Sequence, residues 1–472
     1  MKNFDFSTYL SPLTWRYGSD AMRKIFSEKH KYELWRKIWI ALAEAQQQAK
    51  LVSKEELEDL KKNEKDIDIE KIFELEKDTK HDVVAAIKEF AEKAKVGGGK
   101  IHLGATSMDI VDNTDMIRIQ EALKIVEKKV TVILNLLANK IEEYSDFPCL
   151  GYTHLQPAEP TTVGYRLAFY AQDLLTAYQF IQFAKKTIKG KGMKGAVGTA
   201  ASYHELLKNK SVSVNDLESE VMKKLGIESV LISGQVYPRL FDLIVLNSLV
   251  MVTSALAKFA GDLRILQSPL YGEWSEPFGK KQVGSSAMPF KKNPISSENI
   301  CSLARFVATL PQIASENASL SYLERTLDDS ANKRIVIAEA FLTTDQILMT
   351  AEKIISGLVI NKERISFNLK QYSSFAASES IILEAVKNGA DRQEIHEVLR
   401  NISMIAWADI QKGKENPMIK LLVENKLIGR YLNKSQLEKL MMVEAHIGDA
   451  PERARKIVKL VRAIPGSPSS RG

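Results

Sequence analysis

Apolar residues recur at helical spacing along most of the chain. In residues 237–268, for example, Leu240, Leu243 and Ile244 belong to one broad apolar stripe, the pattern of a helix that buries one face. The same pattern predicts helices over 33–50, 54–63, 83–95, 113–144, 161–188, 237–268, 294–318, 333–357 and 376–388. Several of these approach or exceed about 25 residues, so they need partners along their length. The pattern therefore predicts an all-α fold built on a long helical bundle.

Helix length also suggests how the 472 residues are divided into domains. Shorter helices come first, long ones follow, and shorter amphipathic ones return, which predicts an N-terminal helical domain (1–111), a central long-helix bundle (112–363) and a C-terminal helical domain (364–472). Turn-rich segments interrupt the helices at 96–107, 149–160, 189–202, 232–238 and 271–293. The last residues, IPGSPSSRG, predict a disordered tail from about residue 464.

The composition is that of a globular protein, with 45% apolar and 26% charged residues. The most apolar window, 240–260, is interrupted by Asp242, Asn247 and Lys258, so we expect no membrane span. The N-terminus lacks the apolar run of a signal peptide, and two cysteines make no disulfide framework; we therefore expect a cytoplasmic protein. The formal charge of +7 comes without an aromatic-interleaved basic motif, which argues against nucleic-acid binding and is compatible with an anionic small molecule.

One loop combines several groups that bind anions. Residues 284–294, GSSAMPFKKNP (the GSS loop), precede a predicted helix. Asn293 can act as its N-cap and Pro294 fits its first position. Free amides at a helix start, two serines and two lysines form a plausible anion cradle. The alternative, on the residues alone, is a solvated flexible loop.

Further candidate residues lie in loops and at helix starts. His81, His102 and His154 are placed in this way, although a single histidine is more often structural than catalytic. Thr106, Ser107 and Asp109 form a segment rich in hydroxyls that is also typical of a helix cap.

Arginines form the last group of candidates. Residues 323–334 hold Arg325, Ser330 and Arg334 near a long helix, and Arg16 stands beside Tyr17; such groups bind phosphate or carboxylate in bidentate fashion, with solvated charge as the alternative. The chain has no Gly-rich phosphate loop, no His/Cys cluster at metal spacing and no nucleophile elbow. Hydride transfer, nucleotide hydrolysis and metal-dependent hydrolysis are therefore disfavoured.

Together and in this order, these segments resemble the fumarase/aspartase superfamily, and within it the adenylosuccinate lyase family. The GSS loop matches the superfamily's hallmark loop. Motifs similar to those of the adenylosuccinate lyases are RYGSD at 16–20, KHDV at 80–83, GATSMDIVDN at 104–113, THLQPAEPTT at 153–162 and ERTLDDSANKR at 324–334. The chain departs from the pattern at Trp15, Phe290 and Thr326, where serine, histidine and aspartate are usual. The resemblance extends over residues 10–450, nearly the whole chain.

The resemblance implies an all-α fold of three domains whose long central helices form a tetrameric twenty-helix core. Each active site would then draw residues from three chains. The implied reaction is a β-elimination of fumarate from adenylosuccinate, giving AMP, and from the succinyl-carboxamide ribotide SAICAR, giving AICAR. The implied partners are a small-molecule nucleotide and the other copies of a homotetramer. Nucleic acid, a membrane, a metal and an organic cofactor are not expected.

The resemblance also implies catalytic roles. Ser285 corresponds to the general base, which needs an environment that stabilises an alkoxide. Lys291 and Asn293 would hold the substrate carboxylate as it gains charge. His154 would protonate the leaving nitrogen. His81 would tune or orient His154, and a swap of the two histidine roles is left open. Glu298 would help to orient His154.

Substrate binding is implied for residues in all the matched segments: Arg16, Tyr17, His102, Thr106, Ser107, Asp109, Thr153, Gln156, Gln235, Ser286, Met288, Asn293, Arg325, Ser330 and Arg334. Argininosuccinate lyase or aspartase is the closest alternative within the superfamily, but those enzymes bind no nucleotide phosphate and need fewer cationic groups. A structural protein that keeps the fold without activity is the alternative from another class, and the intact Ser285, Lys291, Asn293 and His154 argue against it.

Overall fold

A computed structural model describes residues 7–279, 281–288 and 290–465. Helices dominate this part of the chain, and two short antiparallel pairs of strands accompany them. Pro289 of the GSS loop lies outside the described residues, as does most of the predicted tail, from residue 466 onward. The fold is therefore all-α, as the apolar pattern predicts.

The helices and strands are numbered here in chain order. The first ten helices are α1 (Pro12–Trp15), α2 (Asp20–Ile25), α3 (Glu28–Gln48), α4 (Lys54–Lys62), α5 (Ile69–Thr79), α6 (Asp82–Lys93), α7 (Ser107–Glu143), α8 (Val163–Thr187), α9 (Ala201–Leu206) and α10 (Val214–Leu225). The others are α11 (Leu240–Leu266), α12 (Ile295–Ser319), α13 (Asp329–Ser356), α14 (Lys362–Tyr372), α15 (Ser378–Lys387), α16 (Arg392–Gln411), α17 (Met418–Glu424), α18 (Ile428–Tyr431), α19 (Lys434–Leu440) and α20 (Ala450–Arg462). The strands are β1 (Pro148–Thr153), β2 (Gln156–Thr162), β3 (Trp274–Ser275) and β4 (Val359–Ile360).

The chain divides into two compact units. Of the described residues, the first unit holds those within 1–129, 177–254 and 302–349, and the second holds those within 130–176, 255–301 and 350–472. The long helices α7, α8, α11, α12 and α13, of 25 to 37 residues each, continue from one unit into the other. The predicted division into three domains at residues 111 and 363 follows helix length instead, and it stays a prediction.

The first unit has an aromatic core around α3. Trp35 and Trp39 are buried there, and the Trp39 ring lies 6.1 Å from that of Phe90 on α6. Arg36 and Glu89 form an ion pair at 2.5 Å in the same core, with both side chains almost fully buried. Removing one partner of such a pair leaves a buried charge and costs about 3–5 kcal/mol, so this pair fixes how α3 meets α6.

The second unit has two packed parts. Its C-terminal helices share an apolar cluster that includes Ile381, Ile395, Leu422 and Leu437. Strands β1 and β2 form a hairpin that packs on α14. This hairpin carries His154 at its turn, so we call it the His154 hairpin.

Several helices begin and end close to the residues that the apolar pattern predicts. The prediction of 54–63 corresponds to α4, and that of 161–188 corresponds to α8. Helices α3, α7 and α13 begin four to six residues earlier than predicted. At α3 the reason is a cap, because the Ser27 side chain accepts a hydrogen bond from the His30 amide and such caps contribute about 1 kcal/mol.

The prediction of a turn-rich segment over 149–160 was wrong, because most of it forms the His154 hairpin. Pro157 and Pro160 suggested a loop, yet they pair with Tyr152 and Leu150 in the ladder. A two-stranded hairpin consists of edge strands, where proline is tolerated. At the irregularity between Leu150 and Tyr152, Gly151 is required because a Cβ there would lie 2.6 Å from the Glu159 carbonyl oxygen.

Helix α11 is long and apolar enough to cross a membrane by length and composition alone. Half of its most apolar window is buried, and the core helix of a helical bundle gives the same pattern. The helix is therefore weak evidence for a membrane span.

Candidate functional site

A cavity of about 850 Å³ in the first unit gathers many of the predicted residues. We call it the cationic pocket. Its wall contains seven predicted site residues, namely His81, Thr106, Ser107, Gln235, Arg325, Ser330 and Arg334. These residues come from four separate stretches of sequence, so the fold brings together groups that the motifs alone could only name.

His81 stands at the start of α6 in the pocket wall. Its Nδ1 accepts a hydrogen bond from the Val84 amide at 3.4 Å, and its Nε2 lies 3.5 Å from the Ser107 hydroxyl. The neighbouring Asp82 accepts a hydrogen bond from Arg334 at 3.1 Å. The imidazole is thus fixed on one side and presents its other nitrogen to the hydroxyls of the pocket.

The arginine segment forms another part of the wall. Arg325 donates to the Gln235 side chain at 2.7 Å, which links two predicted residues directly. Because α13 begins at Asp329, Ser330 and Arg334 stand four residues apart on one helical face. Their side chains therefore project to the same side of the helix.

A buried charge network behind these residues was missed by the sequence analysis. Arg239 contacts Asp329 at 2.6 Å and Asp112 at 3.2 Å, and Lys333 contacts Asp115 at 2.8 Å. Burial alone would lower the pKa of Arg239, and the carboxylates, Asp112 foremost, hold it well above the ordinary value. All but Asp112 line the pocket. Lys333 could have been noticed beside Arg334, but only the fold places Arg239 here.

Asp109 is fully buried, and it does not belong to the pocket wall. Its carboxylate pairs with Lys191, accepts hydrogen bonds from the Gly195 amide at 3.2 Å and the Thr106 amide at 3.0 Å, and also accepts from the Tyr203 hydroxyl at 3.2 Å. Asp109 thus organises the loop that presents Thr106. Its predicted contact with substrate has no support in this geometry.

The other two predicted groups of the first unit also lie outside the pocket wall. His102 is largely buried, and its Nδ1 accepts a hydrogen bond from the Trp39 indole at 3.1 Å. Arg16 places its guanidinium 5.8 Å from the ring centres of Trp15 and Tyr17. Contacts of His102, Arg16 and Tyr17 with a nucleotide remain predictions.

The GSS loop belongs to the second unit and is closed by its own residues. The Ser285 hydroxyl oxygen accepts hydrogen bonds from the amides of Met288 at 3.1 Å and Ala287 at 3.4 Å. Asn293 donates to the Gly284 carbonyl at 2.9 Å. A Cβ on Gly284 would lie 2.0 Å from the Lys291 carbonyl oxygen, so only glycine fits here. Ser286, Met288 and Lys291 have exposed side chains.

The predicted cap of α12 was wrong. The helix begins at Ile295, after Pro294, and Asn293 is turned back to Gly284. The buried Glu276 accepts hydrogen bonds from the amides of Ser297 at 2.5 Å and Ser296 at 3.2 Å. The first amides of the helix therefore already hold an anion, so they are not open to a substrate in the way that the sequence suggested.

His154 occupies the exposed tip of its hairpin. Thr153 pairs with Gln156, leaving His154 and Leu155 as a two-residue turn, and the side chains of all four are exposed. A cavity of about 470 Å³ adjoins this turn. Five residues before His154, Cys149 on β1 is fully buried.

Within the described residues, no hydrogen bond links the predicted catalytic residues of the second unit to one another. Among the hydrogen bonds of the described residues, none joins His154 to Ser285 or to Glu298. Glu298 instead faces Arg264 at 4.0 Å. Within the described ranges, no group of three or more His, Cys, Asp or Glu side chains could hold a metal ion.

Comparison with known proteins identifies the class of this chain. Residues 15–308 match the lyase family, and residues 374–457 match the C-terminal domain of adenylosuccinate lyase. The match of the longer region defines an enzyme of the lyase class.

Full-length relatives then identify the family. The chain is 38% identical to the adenylosuccinate lyase of Saccharomyces cerevisiae, covering 96% of this chain and 95% of the relative. It is 37% identical to that of Methanocaldococcus jannaschii, covering 96% of each chain. The chain belongs to the adenylosuccinate lyase family.

Solved structures confirm the fold. The chain superposes on a fumarate lyase from Mesorhizobium sp. BNC1 with a TM-score of 0.82 and 21% identity, covering 94% of this chain and 98% of that one. It superposes on a 3-carboxy-cis,cis-muconate lactonizing enzyme from Pseudomonas putida with a TM-score of 0.84 and 21% identity, covering 96% and 99%. At this identity the likeness concerns the fold alone.

Proposed function

We propose that the protein cleaves adenylosuccinate into AMP and fumarate, and SAICAR into AICAR and fumarate. The observation that carries this proposal is the cationic pocket, in which Arg325 and Arg334 stand beside the hydroxyls of Thr106, Ser107 and Ser330. Both substrates carry a phosphate and a succinyl group. Guanidinium groups and hydroxyls suit such oxyanions because they offer several donors at once.

The first chemical step is removal of a proton from the carbon beside a succinyl carboxylate. We assign this step to Ser285 as an alkoxide. The amides of Ala287 and Met288 already donate to its oxygen, and hydrogen bonds to a charged form stabilise that form. The electron pair released from the C–H bond moves into the neighbouring carboxylate as an aci-carboxylate. Lys291 and Asn293 are the groups that would stabilise its added charge.

The second step is expulsion of the nitrogen. The electron pair returns to form the double bond of fumarate, the C–N bond breaks, and the leaving nitrogen takes a proton. We assign that proton to His154, whose exposed position at a hairpin tip allows it to reach a substrate. We assign to His81 the orientation of substrate. Its bond from the Val84 amide, which fixes the imidazole in the wall of the cationic pocket, supports this assignment.

We also propose a cytoplasmic homotetramer with shared active sites. The absence of a bond between His154 and Ser285 among the described residues of one chain supports sharing between chains. Both cysteines, Cys149 and Cys301, are free thiols, which suits a reducing compartment.

The experiment that tests the function is an ultraviolet assay of the purified full-length protein. Adenylosuccinate, SAICAR, argininosuccinate and aspartate are supplied in parallel, and we expect turnover of the first two. Ser285→Ala and His154→Asn should each lower kcat at least about 100-fold, as loss of a general base or acid does. Ser366→Ala and His396→Asn, at exposed helical positions, serve as matched controls. Turnover of argininosuccinate or aspartate alone would refute the nucleotide assignment.

A further inference from the structure

The turn that carries His154 has an unfavourable backbone. His154 has a φ of 55° and Leu155 a φ of 59°, the signature of a type I′ hairpin turn, which favours asparagine and glycine. A left-handed conformation costs other residues on the order of 1 kcal/mol each. Leucine is not among the residues that favour this conformation, so contacts around the turn must help to hold it in place.

Tyr271 supplies one such contact. Its hydroxyl donates to the Leu155 carbonyl at 2.8 Å, directly within the turn. Its ring also packs edge-on against Tyr152 of β1, with 4.9 Å between ring centres. Tyr271 therefore touches the hairpin both at its tip and along its strand.

Glu273 supplies a second contact from the same short segment. Its carboxylate is fully buried and accepts hydrogen bonds from the Tyr152 hydroxyl at 2.6 Å and from Arg166 at 3.0 Å. The other arm of Arg166 donates to the Leu150 carbonyl of β1. The carboxylate thus ties the strand that leads to His154 to the start of α8.

Helix α14 anchors this segment in turn. Asn368 donates both to the Tyr271 carbonyl and to the Glu273 carboxylate, at 3.0 Å each. Arg364 donates to the same Tyr271 carbonyl at 3.0 Å. The residues that hold the hairpin are thus themselves fixed to a regular helix.

We propose that Tyr271 and Glu273 are positioning residues that hold His154 where it can protonate the leaving nitrogen. The inference rests on the proposed function of His154. The Tyr271 hydroxyl donates to the backbone of the turn, and we expect its loss to lower the reaction rate. A displacement of about 1 Å in a catalytic group can cost 100-fold in rate, so loss of one of the two contacts should cost about tenfold.

The test uses Tyr271→Phe and Tyr152→Phe in the full-length enzyme. Each removes one hydroxyl and keeps the ring, so the hairpin keeps its packing. We expect kcat to fall about tenfold in each, with KM within about twofold. Tm should change little in Tyr271→Phe, because one neutral hydrogen bond contributes only about 1 kcal/mol. It should fall further in Tyr152→Phe, because that hydroxyl donates to the buried Glu273 carboxylate and a bond to a charged group contributes about 1.5–3 kcal/mol. Tyr178→Phe is the matched control, since its hydroxyl bonds Glu127 and no residue of the hairpin.

A double-mutant cycle separates positioning from a general structural role. If the two tyrosines act through His154, neither substitution lowers the residual rate further once His154→Asn is present. Asparagine is chosen because it tolerates the left-handed turn. A wild-type kcat in Tyr271→Phe, or an equal loss in both backgrounds, would overturn the inference. Full activity of His154→Asn itself would instead overturn the assignment of the acid, and so mark a failure of the proposed function.

Discussion

His102 and His154 occupy similar loop contexts in the sequence and very different environments in the fold. His154 is exposed at a hairpin tip, whereas His102 is largely buried, has a φ of 64° and accepts a hydrogen bond from Trp39. Burial lowers the pKa of His102 to about 4. The imidazole is therefore neutral at pH 7, which suits an acceptor for the Trp39 indole and does not suit a cationic phosphate ligand.

This environment predicts a pH dependence of stability. An unfolded histidine has a pKa near 6.5, so between pH 6.5 and 4 the unfolded chain takes up a proton that the folded chain does not. The lowered pKa of His102 therefore adds up to about 3 kcal/mol to the free energy of unfolding. This contribution is fully present above pH 6.5 and is lost as the pH falls to 4. His102→Asn keeps the left-handed backbone and should lose this part of the pH dependence.

Denaturant unfolding of both proteins from pH 8 to pH 4 measures the effect. The difference in unfolding free energy between wild type and variant should stay constant above pH 7 and shrink below pH 6.5. A constant difference over the whole range would show that His102 is protonated equally in both states.

At the scale of single elements, the GSS loop depends on a close approach of its two ends. Gly284→Ala would bring a Cβ to 2.0 Å from the Lys291 carbonyl oxygen, so the loop must open and Ser285 must shift. We expect kcat to fall at least about 100-fold. Tm should change little, because the loop side chains are mostly exposed.

A second glycine gives the control for this prediction. Gly261 lies inside α11, with nothing within 4 Å of an added Cβ. Gly261→Ala should keep full activity and raise the unfolding free energy by about 0.5–1 kcal/mol, because alanine favours the helix. Equal kcat values for Gly284→Ala and wild type would contradict the role of loop closure.

Local pattern predicts elements well when the element is long. Helices such as α4 and α8 follow from apolar spacing because each residue adds to the same signal. The His154 hairpin escaped prediction because Pro157 and Pro160 normally end strands, and only the partner strand shows that both can sit in a ladder. The cap of α12 by Glu276 was not predicted, because this carboxylate lies about 20 residues along the chain from the amides that donate to it.

The same limit governs the candidate site. The motifs identified Ser285, His154 and Arg325 by type and order. They could not show that Asp109, within one of those motifs, points to Lys191 inside the core. Burial and distant partners separate a binding residue from a structural one, and neither is visible in the sequence.

At the scale of the whole molecule, our proposal of active sites shared between chains can be tested with two variants. We predict complementation between two inactive variants, Ser285→Ala and His154→Asn, when they are co-assembled in equal amounts. If these residues come from different chains, about one quarter of the sites in mixed oligomers contain both intact residues. The recovered kcat should approach about one quarter of the wild-type value per site.

Each variant assembled with itself provides the baseline and should remain inactive. Sedimentation of the mixed sample checks that the oligomers have formed. A mixture as inactive as either parent, with intact oligomers, would mean that one chain supplies both residues to a site.

The buried Cys149 has a practical consequence for the strand that carries His154. Burial raises the pKa of its thiol to about 11, and the thiolate is the form that reacts with alkylating agents. The folded chain therefore protects Cys149 from alkylation in two ways: the reagent cannot reach the buried thiol, and the thiol stays protonated. Once the more accessible Cys301 is replaced by serine, alkylation requires β1 to leave the fold. The alkylation rate of Cys149 therefore measures how often β1, the strand that leads to His154, opens.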